Sequence, residues 1–139
     1  MIRAFQPADA GQVMEIWLTG NEEAHPFVDP AYWHAHAAEV REQLSGAEVL
    51  VYEEEGTILG FVGVQGDFIA GIFVRREARG RGIGKRLLDA VKANHPSLTL
   101  SVYRKNRRAA AFYAREGFAV VSESIDPETG EAEQTLRWQ

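Results

Sequence analysis

The spacing of apolar residues predicts two helices in the first third of the chain. A short apolar strand over residues 2–5 precedes Pro7, where a helix of 3.6-residue period is predicted to begin and to run to Gly20. A second helix is predicted over 30–44, with an apolar face of Trp33, Ala37, Val40 and Leu44. Residues 21–29, which read NEEAHPFVD, are interpreted as the loop between these helices.

Strand-like patterns begin at residue 48. Residues 49–64 read as two β-rich runs joined by an acidic turn at 54–56, which is typical of a hairpin. The apolar run within 67–74 is continuous and predicts a strand buried on both faces. The remaining pattern predicts, in order, a helix over 83–94, a strand over 98–103, a helix over 107–116 and a closing hairpin over 118–138. The order βααβββαβαββ predicts a mixed α/β sheet.

Length and composition place these elements in one domain over residues 1–139. A chain of this size buries one core, and its 45% hydrophobic and 25% charged residues are typical of a folded protein. The sequence contains no cysteine, which excludes disulfides, thiolate metal ligands and a cysteine nucleophile. No segment has the apolar length of a signal peptide or a membrane span, so we expect a cytoplasmic protein without membrane partners.

The positive charges are concentrated although the net charge is −5. Of the 15 lysines and arginines, six lie in residues 75–86 and four more in 104–108. Two short basic segments in an acidic protein favour a compact anionic ligand over a long polyanion. We therefore predict no nucleic-acid partner.

The first basic segment contains RGRGIG at residues 79–84, between an apolar strand and a helix. Glycines at this spacing form a tight turn with unobstructed amides, and the following helix contributes its positive N-terminal dipole, so a diphosphate is the expected ligand. A Walker A loop is excluded because only three residues separate Gly80 from Gly84 and Arg86 replaces the required hydroxyl. A Rossmann fingerprint is excluded because Leu87 replaces its last glycine.

Two motifs carry a resemblance to a known family. Arg79, Gly82 and Gly84 form R-x-x-G-x-G, and residues 106–118 form N-x-x-A-x-x-F-Y-x-x-x-G-F. In both motifs the chain resembles the GNAT superfamily of acyl-CoA-dependent N-acyltransferases. Residues 25–27, 66–74 and 103–106 look like its small bacterial YiaC and YjaB kind. The resemblance implies the α+β GNAT fold, a mixed and mostly antiparallel sheet of six to seven strands with about four helices.

The resemblance also implies a reaction, the direct transfer of acetyl from the cosubstrate acetyl-CoA to a primary amine. Tyr113 would be the general acid that protonates the leaving thiolate. The backbone of Ile72, Phe73 and Val74 would bind the pantetheine arm, and one amide would face the thioester carbonyl. The remaining contacts to the cosubstrate are expected from Arg79, Gly80, Arg81, Gly82, Ile83, Gly84, Lys85, Asn106 and Phe112.

The general base and the acceptor stay open. Asp67, Glu53 and His25 are candidate bases, and no base is needed if the bound amine has a depressed pKa. The acceptor is a protein lysine or a small cationic amine, because acidic residues dominate the expected acceptor regions. Those regions are residues 21–29, Tyr32, Trp33, His36 and residues 125–133. Six further cations are candidates for the adenosine phosphates: Arg75, Arg76, Arg104, Lys105, Arg107 and Arg108.

Two further sets of alternatives concern metals and activity. His34 and His36 diverge on a helix and His95 is interpreted as a charge complement at a helix end, so we predict no metal. The rival to an enzyme is a CoA-binding sensor with little turnover, which thiol release across a panel of amines would distinguish. The sequence leaves open whether the protein is a monomer or a homodimer.

Overall fold

The computed structural model describes all residues from 1 to 139 as one seven-stranded sheet and four helices. The strands are β1 (Ile2–Ala4), β2 (Glu48–Glu54), β3 (Thr57–Gln65), β4 (Phe68–Val74), β5 (Leu98–Tyr103), β6 (Ala119–Ile125) and β7 (Ala132–Trp138). The helices are α1 (Ala10–Ala24), α2 (Pro30–Gln43), α3 (Ile83–Lys92) and α4 (Arg107–Arg115), with 3₁₀ turns at Pro7–Asp9 and Arg76–Ala78. No helix has the length and apolar character needed to span a membrane.

The sheet is antiparallel except at its centre. Its strand order is β1-β2-β3-β4-β5-β7-β6, and β4 and β5 form the parallel pair. These two strands are paired only where Phe68 meets Thr99, beside a hydrogen bond of 2.9 Å from the Thr99 amide to the Asp67 carbonyl. Beyond that point they separate, so a gap opens between their carboxyl ends. The predicted fold class and element order are confirmed.

The helices cover the two faces of the sheet and create two main cores. On one face α3 inserts Ile83, Leu87, Leu88 and Val91 against the sheet, as the helical spacing predicts. On the other face α1 packs Val13 and Ile16 against β2 and β3. A third, smaller cluster joins Val28 and the aromatic rings of Trp33 and Tyr103 beside the gap.

The first helix is longer than predicted. Gly20 does not end α1, which continues to Ala24, so the predicted loop at 21–29 begins four residues too early. The reason for the glycine is a close approach, since a Cβ at Gly20 would lie 2.8 Å from Cδ1 of Phe73. The side chain of Asn21 supports the extra turn by donating to the carbonyl of Trp17 at 2.9 Å.

The prediction that the strand at 67–74 is buried on both faces is wrong. Only Ile69 is fully buried, and residues 71–74 are half-buried. Their apolar side chains border the gap between β4 and β5 rather than a closed core. A continuous apolar run thus marks a strand beside a cavity as well as one inside a sheet.

Candidate active site

A cavity of about 1080 Å³ occupies the gap between β4 and β5. Its walls come from the end of α1, the carboxyl halves of both strands, the glycine turn, the start of α3 and one face of α4. Twelve of the thirteen predicted site residues line it, namely Ile72, Phe73, Val74, Arg79, Gly80, Gly82, Ile83, Gly84, Lys85, Asn106, Phe112 and Tyr113.

Backbone groups of the glycine turn are free to bind an anion. Gly80 and Gly82 have φ angles of 83° and 76°, a left-handed conformation in which a side chain is strained. A Cβ at either glycine would meet nothing within 4 Å. The amides of Gly80, Arg81 and Gly82 donate to no group of the chain, and α3 begins immediately after them with its unpaired first-turn amides. This set of donors fits a diphosphate.

Most cations around the turn are paired with carboxylates. Arg79 pairs with Glu23, and Lys85 contacts Asp89 and Glu116 at 3.2 and 3.1 Å. Arg81, the thirteenth predicted residue, does not line the cavity. Its guanidinium contacts Glu54 at 2.7 Å and is 48% exposed, because the turn directs it toward the β2–β3 hairpin.

The six further candidate cations also divide into two groups. Lys105, Arg107 and Arg108 line the cavity, whereas Arg75, Arg76 and Arg104 do not. Arg75 is held in the structure instead, by Glu15 at 2.8 Å and the carbonyl of Ile58 at 2.6 Å. Arg107 and Arg108 have no ion-pair partner in the chain, so their charge is available to an anionic ligand.

The backbone of β4 presents alternate residues to the gap. The amide of Arg75 donates to Leu59 of β3, while the carbonyl of Val74 accepts from Arg79 Nε on the other side. The amides of consecutive residues in a strand point to opposite edges of that strand. The amides of Ile72 and Val74 therefore face the gap, and the amide of Phe73 faces β3. The backbone of Phe73 therefore serves the sheet, although its side chain lines the cavity.

Two glycines make room for the ring of Phe73. A Cβ at Gly71 would lie 2.4 Å from Cε2 of this ring, and Gly20 of α1 approaches its other edge. The ring stacks on Phe61 with centroids 5.3 Å apart. This packing fixes the spacing between α1 and β4 at the rim of the cavity.

The phenol of Tyr113 lies among aromatic rings in the cavity wall. Its side chain is buried between Phe112 and Phe118, whose ring centroids lie 5.2 and 5.4 Å away. Burial raises the pKa of Tyr113 well above its usual value, and no hydrogen bond from the chain opposes this. The phenol thus carries its proton at neutral pH, as a proton donor must.

Asn106 joins the start of α4 to the segment after α1. Its Oδ1 accepts from the amide of Ala109 at 3.3 Å, which is the predicted N-cap, and its Nδ2 lies 3.2 Å from Nε2 of His25. His25 is buried and stacks on Trp33 with centroids 5.1 Å apart. Burial lowers the pKa of His25 to about 4, with only the nearby Asn21 carbonyl opposing the shift.

None of the three candidate bases is free to accept a proton in the cavity. His25 lines it, but the neutral ring accepts from Asn106 through Nε2. Asp67 lies at the opposite end of β4, where His95 contacts it at 3.1 Å. Glu53 contacts Arg3 on the far edge of the sheet. No group of three or more His, Asp or Glu side chains is arranged to hold a metal ion.

Aromatic rings line the part of the cavity between α1, α2 and β5. Tyr103 meets His25 and Phe27 edge-on, with centroids 5.1 and 5.7 Å apart, and Trp33 meets Trp17 at 6.1 Å. The ring nitrogens His25 Nδ1 and Trp33 Nε1 are buried without a hydrogen-bond partner in the chain. This wall is apolar except at its edges.

Tyrosine hydroxyls tie the β6–β7 turn to this wall. Tyr32 donates to Glu128 Oε2 at 2.7 Å, and Tyr103 donates to Asp126 Oδ2 at 2.6 Å. Burial and the bond to Asp126 raise the pKa of Tyr103 to about 12. Burial raises the pKa of Asp126, but the hydrogen bonds from Tyr103 and the Glu128 amide outweigh it and leave that pKa below its usual value. The two contacts hold the turn against α2 and β5.

Sequence reasoning missed several cavity residues. Ser101, Val102 and Tyr103 line the cavity from β5, and Trp17 and Gly20 line it from α1. Gly20 carried a usable signal, because a glycine inside a helical pattern marks a close approach. The others gave none, since their role depends on how far β5 diverges from β4.

The comparisons with known proteins agree with this geometry. The family model described as an acetyltransferase (GNAT) domain matches residues 45–120. Peptidyl-lysine N-acetyltransferase YiaC of Escherichia coli (strain K12) is 39% identical over 99% of this chain and 96% of its own length. The solution structure of apo-form YjaB from Escherichia coli is 26% identical, covers 99% of this chain and 96% of YjaB, and has a TM-score of 0.86.

A more distant structure shows the same fold with a ligand. PaiA N-acetyltransferase from Thermoplasma acidophilum, solved in complex with coenzyme A, has a TM-score of 0.80 at 17% identity and covers all of this chain and 98% of its own. The family match spans more than half of the chain, and the YiaC match spans nearly all of it. This protein belongs to the GNAT family of acetyltransferases.

Proposed function

We propose that the protein transfers the acetyl group of acetyl-CoA to the side-chain amine of lysine residues in proteins. The family assignment makes it an N-acetyltransferase. The lysine acceptor is inferred from two relatives, YiaC and YjaB, whose names describe peptidyl-lysine N-acetyltransferases. The observation that carries the proposal is the gap between β4 and β5, with free amides at one end and a protonated tyrosine in its wall.

The donor side is defined as β4, the glycine turn at 79–84, α3 and α4. In the proposed complex the amides of Gly80 to Gly82 and the start of α3 bind the CoA pyrophosphate, and Arg107 and Arg108 neutralise further phosphate charge. The amides of Ile72 and Val74 bind along the pantetheine arm. One of them stabilises the negative charge that develops on the thioester oxygen during attack.

Tyr113 completes the proposed chemistry. As the amine nitrogen bonds to the thioester carbon and the carbon–sulfur bond breaks, the phenol gives its proton to the departing thiolate. The phenol is protonated at neutral pH, so its proton is present when the thiolate departs. No residue of this chain forms a covalent bond to the acetyl group in this route.

The acceptor side is defined as residues 25–33, Tyr103 and the turn at 125–133. Its aromatic rings suit the four methylene groups of a lysine, and its carboxylates suit the ammonium group. A long amphipathic side chain is the acceptor that uses both features. Small polar amines use only the second.

The test is a coupled measurement of thiol release and peptide acetylation. Purified protein is supplied with acetyl-CoA and a lysine-containing peptide, with the same peptide carrying arginine instead of lysine as control. The proposal expects stoichiometric thiol and acetyl-lysine with the first peptide and neither with the second. Melting curves with acetyl-CoA, CoA, ATP and NAD accompany the assay, because a ligand of the native state raises the melting temperature.

The two functions make different predictions. An enzyme gives thermal stabilisation by both CoA species together with turnover on the lysine peptide. A sensor gives the stabilisation alone, without thiol release on any amine. Stabilisation by none of the nucleotides would contradict both.

A further inference from the structure

The acidic turn of the acceptor side contains one carboxylate without a partner. Asp126 accepts from Tyr103, Glu128 accepts from Tyr32 and lies 3.3 Å from His36, and Glu131 contacts Lys105 at 3.0 Å. The fourth acid, Glu133, makes no hydrogen bond or ion pair in the chain, and it alone of the four lines the cavity.

The strand register places Glu133 against the aromatic wall. Glu133 of β7 is paired with Tyr103 of β5 and with Ser124 of β6. Directly paired residues project to the same face of a sheet, so the carboxylate shares the face on which Tyr103 meets His25 and Phe27. An apolar slot for a lysine stem therefore has a free carboxylate on its β7 side.

The surroundings keep this carboxylate basic. Partial burial raises the pKa of Glu133 and the nearby charge of Asp126 raises it further. The other titratable neighbour is the phenol of Tyr103, which is occupied with Asp126. The two cations that follow Tyr103 in the chain, Arg104 and Lys105, contact Glu123 and Glu131, and no cation forms an ion pair with Glu133.

We propose that Glu133 binds the ammonium group of the acceptor lysine and takes the proton that this group must lose before attack. The inference rests on the proposed function. The ammonium gives one proton to the carboxylate, which returns it to solvent. The free amine then forms the nitrogen–carbon bond while the carbon–sulfur bond breaks. The nitrogen then loses a second proton, which returns to Tyr113 in place of the proton that the phenol gives to sulfur. The products are the amide, CoA thiol and one proton in solution.

The experiment compares Glu133→Gln with Glu123→Gln, a matched change on the neighbouring strand at an exposed glutamate. At neutral pH we expect Glu133→Gln to lower kcat/KM for the lysine peptide about 100-fold, the usual contribution of a proton acceptor, and to leave the KM for acetyl-CoA unchanged. The loss should narrow as the pH approaches about 10.4, where lysine is deprotonated in solution. Glu133→Asp should recover part of the activity and Glu123→Gln all of it.

Three results would overturn the inference. The first is wild-type kcat/KM in Glu133→Gln across the pH range. The second is an equal loss at every pH, because a structural defect does not depend on the state of the amine. The third is a matching loss in Glu123→Gln. A wild-type protein that binds acetyl-CoA but acetylates no lysine would overturn the proposed function itself, a result that the wild-type assay gives separately.

Discussion

The two sides of the cavity are constructed from different atoms. On the donor side the groups proposed to bind the ligand are backbone amides, at Ile72 and Val74 of β4 and in the turn at 79–84. On the acceptor side the proposed site consists of side chains that are far apart in sequence, such as Tyr32 and Glu128. A site made of backbone amides depends on particular glycines and strand ends but on few side chains, whereas a site made of side chains changes with each substitution. The same fold can therefore bind one acyl donor while its acceptor specificity varies.

The largest effect is expected at Tyr113, the one donor-side position where the proposal assigns the chemistry to a side chain. We expect Tyr113→Phe to lower kcat by about 100-fold, because the thiolate must then leave without a proton donor. The melting temperature should change little, since the phenol makes no hydrogen bond with the chain. Steady-state thiol release measures the effect.

The control for this change is another buried tyrosine outside the cavity. Tyr52 is 8% exposed, and its hydroxyl accepts from Arg86 at 3.1 Å. Tyr52→Phe should keep the wild-type kcat. If Tyr113→Phe also keeps it, the donor side contributes only backbone groups and binding, and the proton donor is not Tyr113.

A second substitution tests the backbone character of the donor side. Gly82→Ala places a side chain at φ 76°, which costs about 1–2 kcal/mol of strain and moves the amides of the turn. We expect the KM for acetyl-CoA to rise about tenfold, as the loss of about 1.4 kcal/mol of binding energy requires. The KM for the peptide should not change. Initial rates with each substrate varied in turn separate the two constants.

Gly56→Ala is the matched control for strain. Gly56 has φ 82° and, like Gly82, open space around its Cβ position, but it lies in the β2–β3 turn. Both variants should lose similar stability, and only Gly82→Ala should lose affinity for acetyl-CoA. An equal rise in KM in both would mean that global strain, not the anion site, sets the constant.

The difference between the two sides also explains what the sequence could reveal. The glycine spacing and the Asn106 to Phe118 motif are local, so fold, donor and twelve cavity residues were predictable. The direction of the Arg81 side chain, which lies away from the cavity, depends on Glu54 of a distant hairpin and is not indicated by any local pattern. Asp67 and Glu53, two of the three candidate bases, lie outside the cavity, where long-range ion pairs hold them. Glu133 differs from its acidic neighbours only through contacts that no local pattern encodes.

A third substitution, Tyr32→Phe, tests whether the acceptor side is independent of the donor side. Tyr32→Phe removes the hydrogen bond of 2.7 Å to Glu128 and releases the β6–β7 turn from α2. One hydrogen bond contributes about 1 kcal/mol, so we expect the peptide KM to rise about fivefold with an unchanged KM for acetyl-CoA. Titration of both substrates measures this. A rise in the acetyl-CoA constant instead would show that the two sides are not independent.

The smallest expected effect is that of changing His95, which lies at the closed end of the gap between the donor and acceptor sides. His95 lies between Asp67 at 3.1 Å and Glu48 at 2.9 Å, next to the point where β4 and β5 pair. The hydrogen bonds to Asp67 and then Glu48 raise its pKa above the unfolded value of 6.5. The contact therefore stabilises the fold fully below pH 6.5, and this contribution disappears as the pH rises through the folded pKa.

His95→Gln isolates that contribution. The variant should melt about 2–4 °C below the wild type at pH 5.5, and the difference should shrink toward pH 9 as the folded histidine loses its proton. Melting curves at the two pH values measure it, and the KM values of both substrates should stay at the wild-type level because His95 lies outside the cavity. A difference independent of pH would mean that His95 acts by packing. A changed KM would mean that the closed end controls how far β4 and β5 diverge, and thus couples the donor side to the acceptor side.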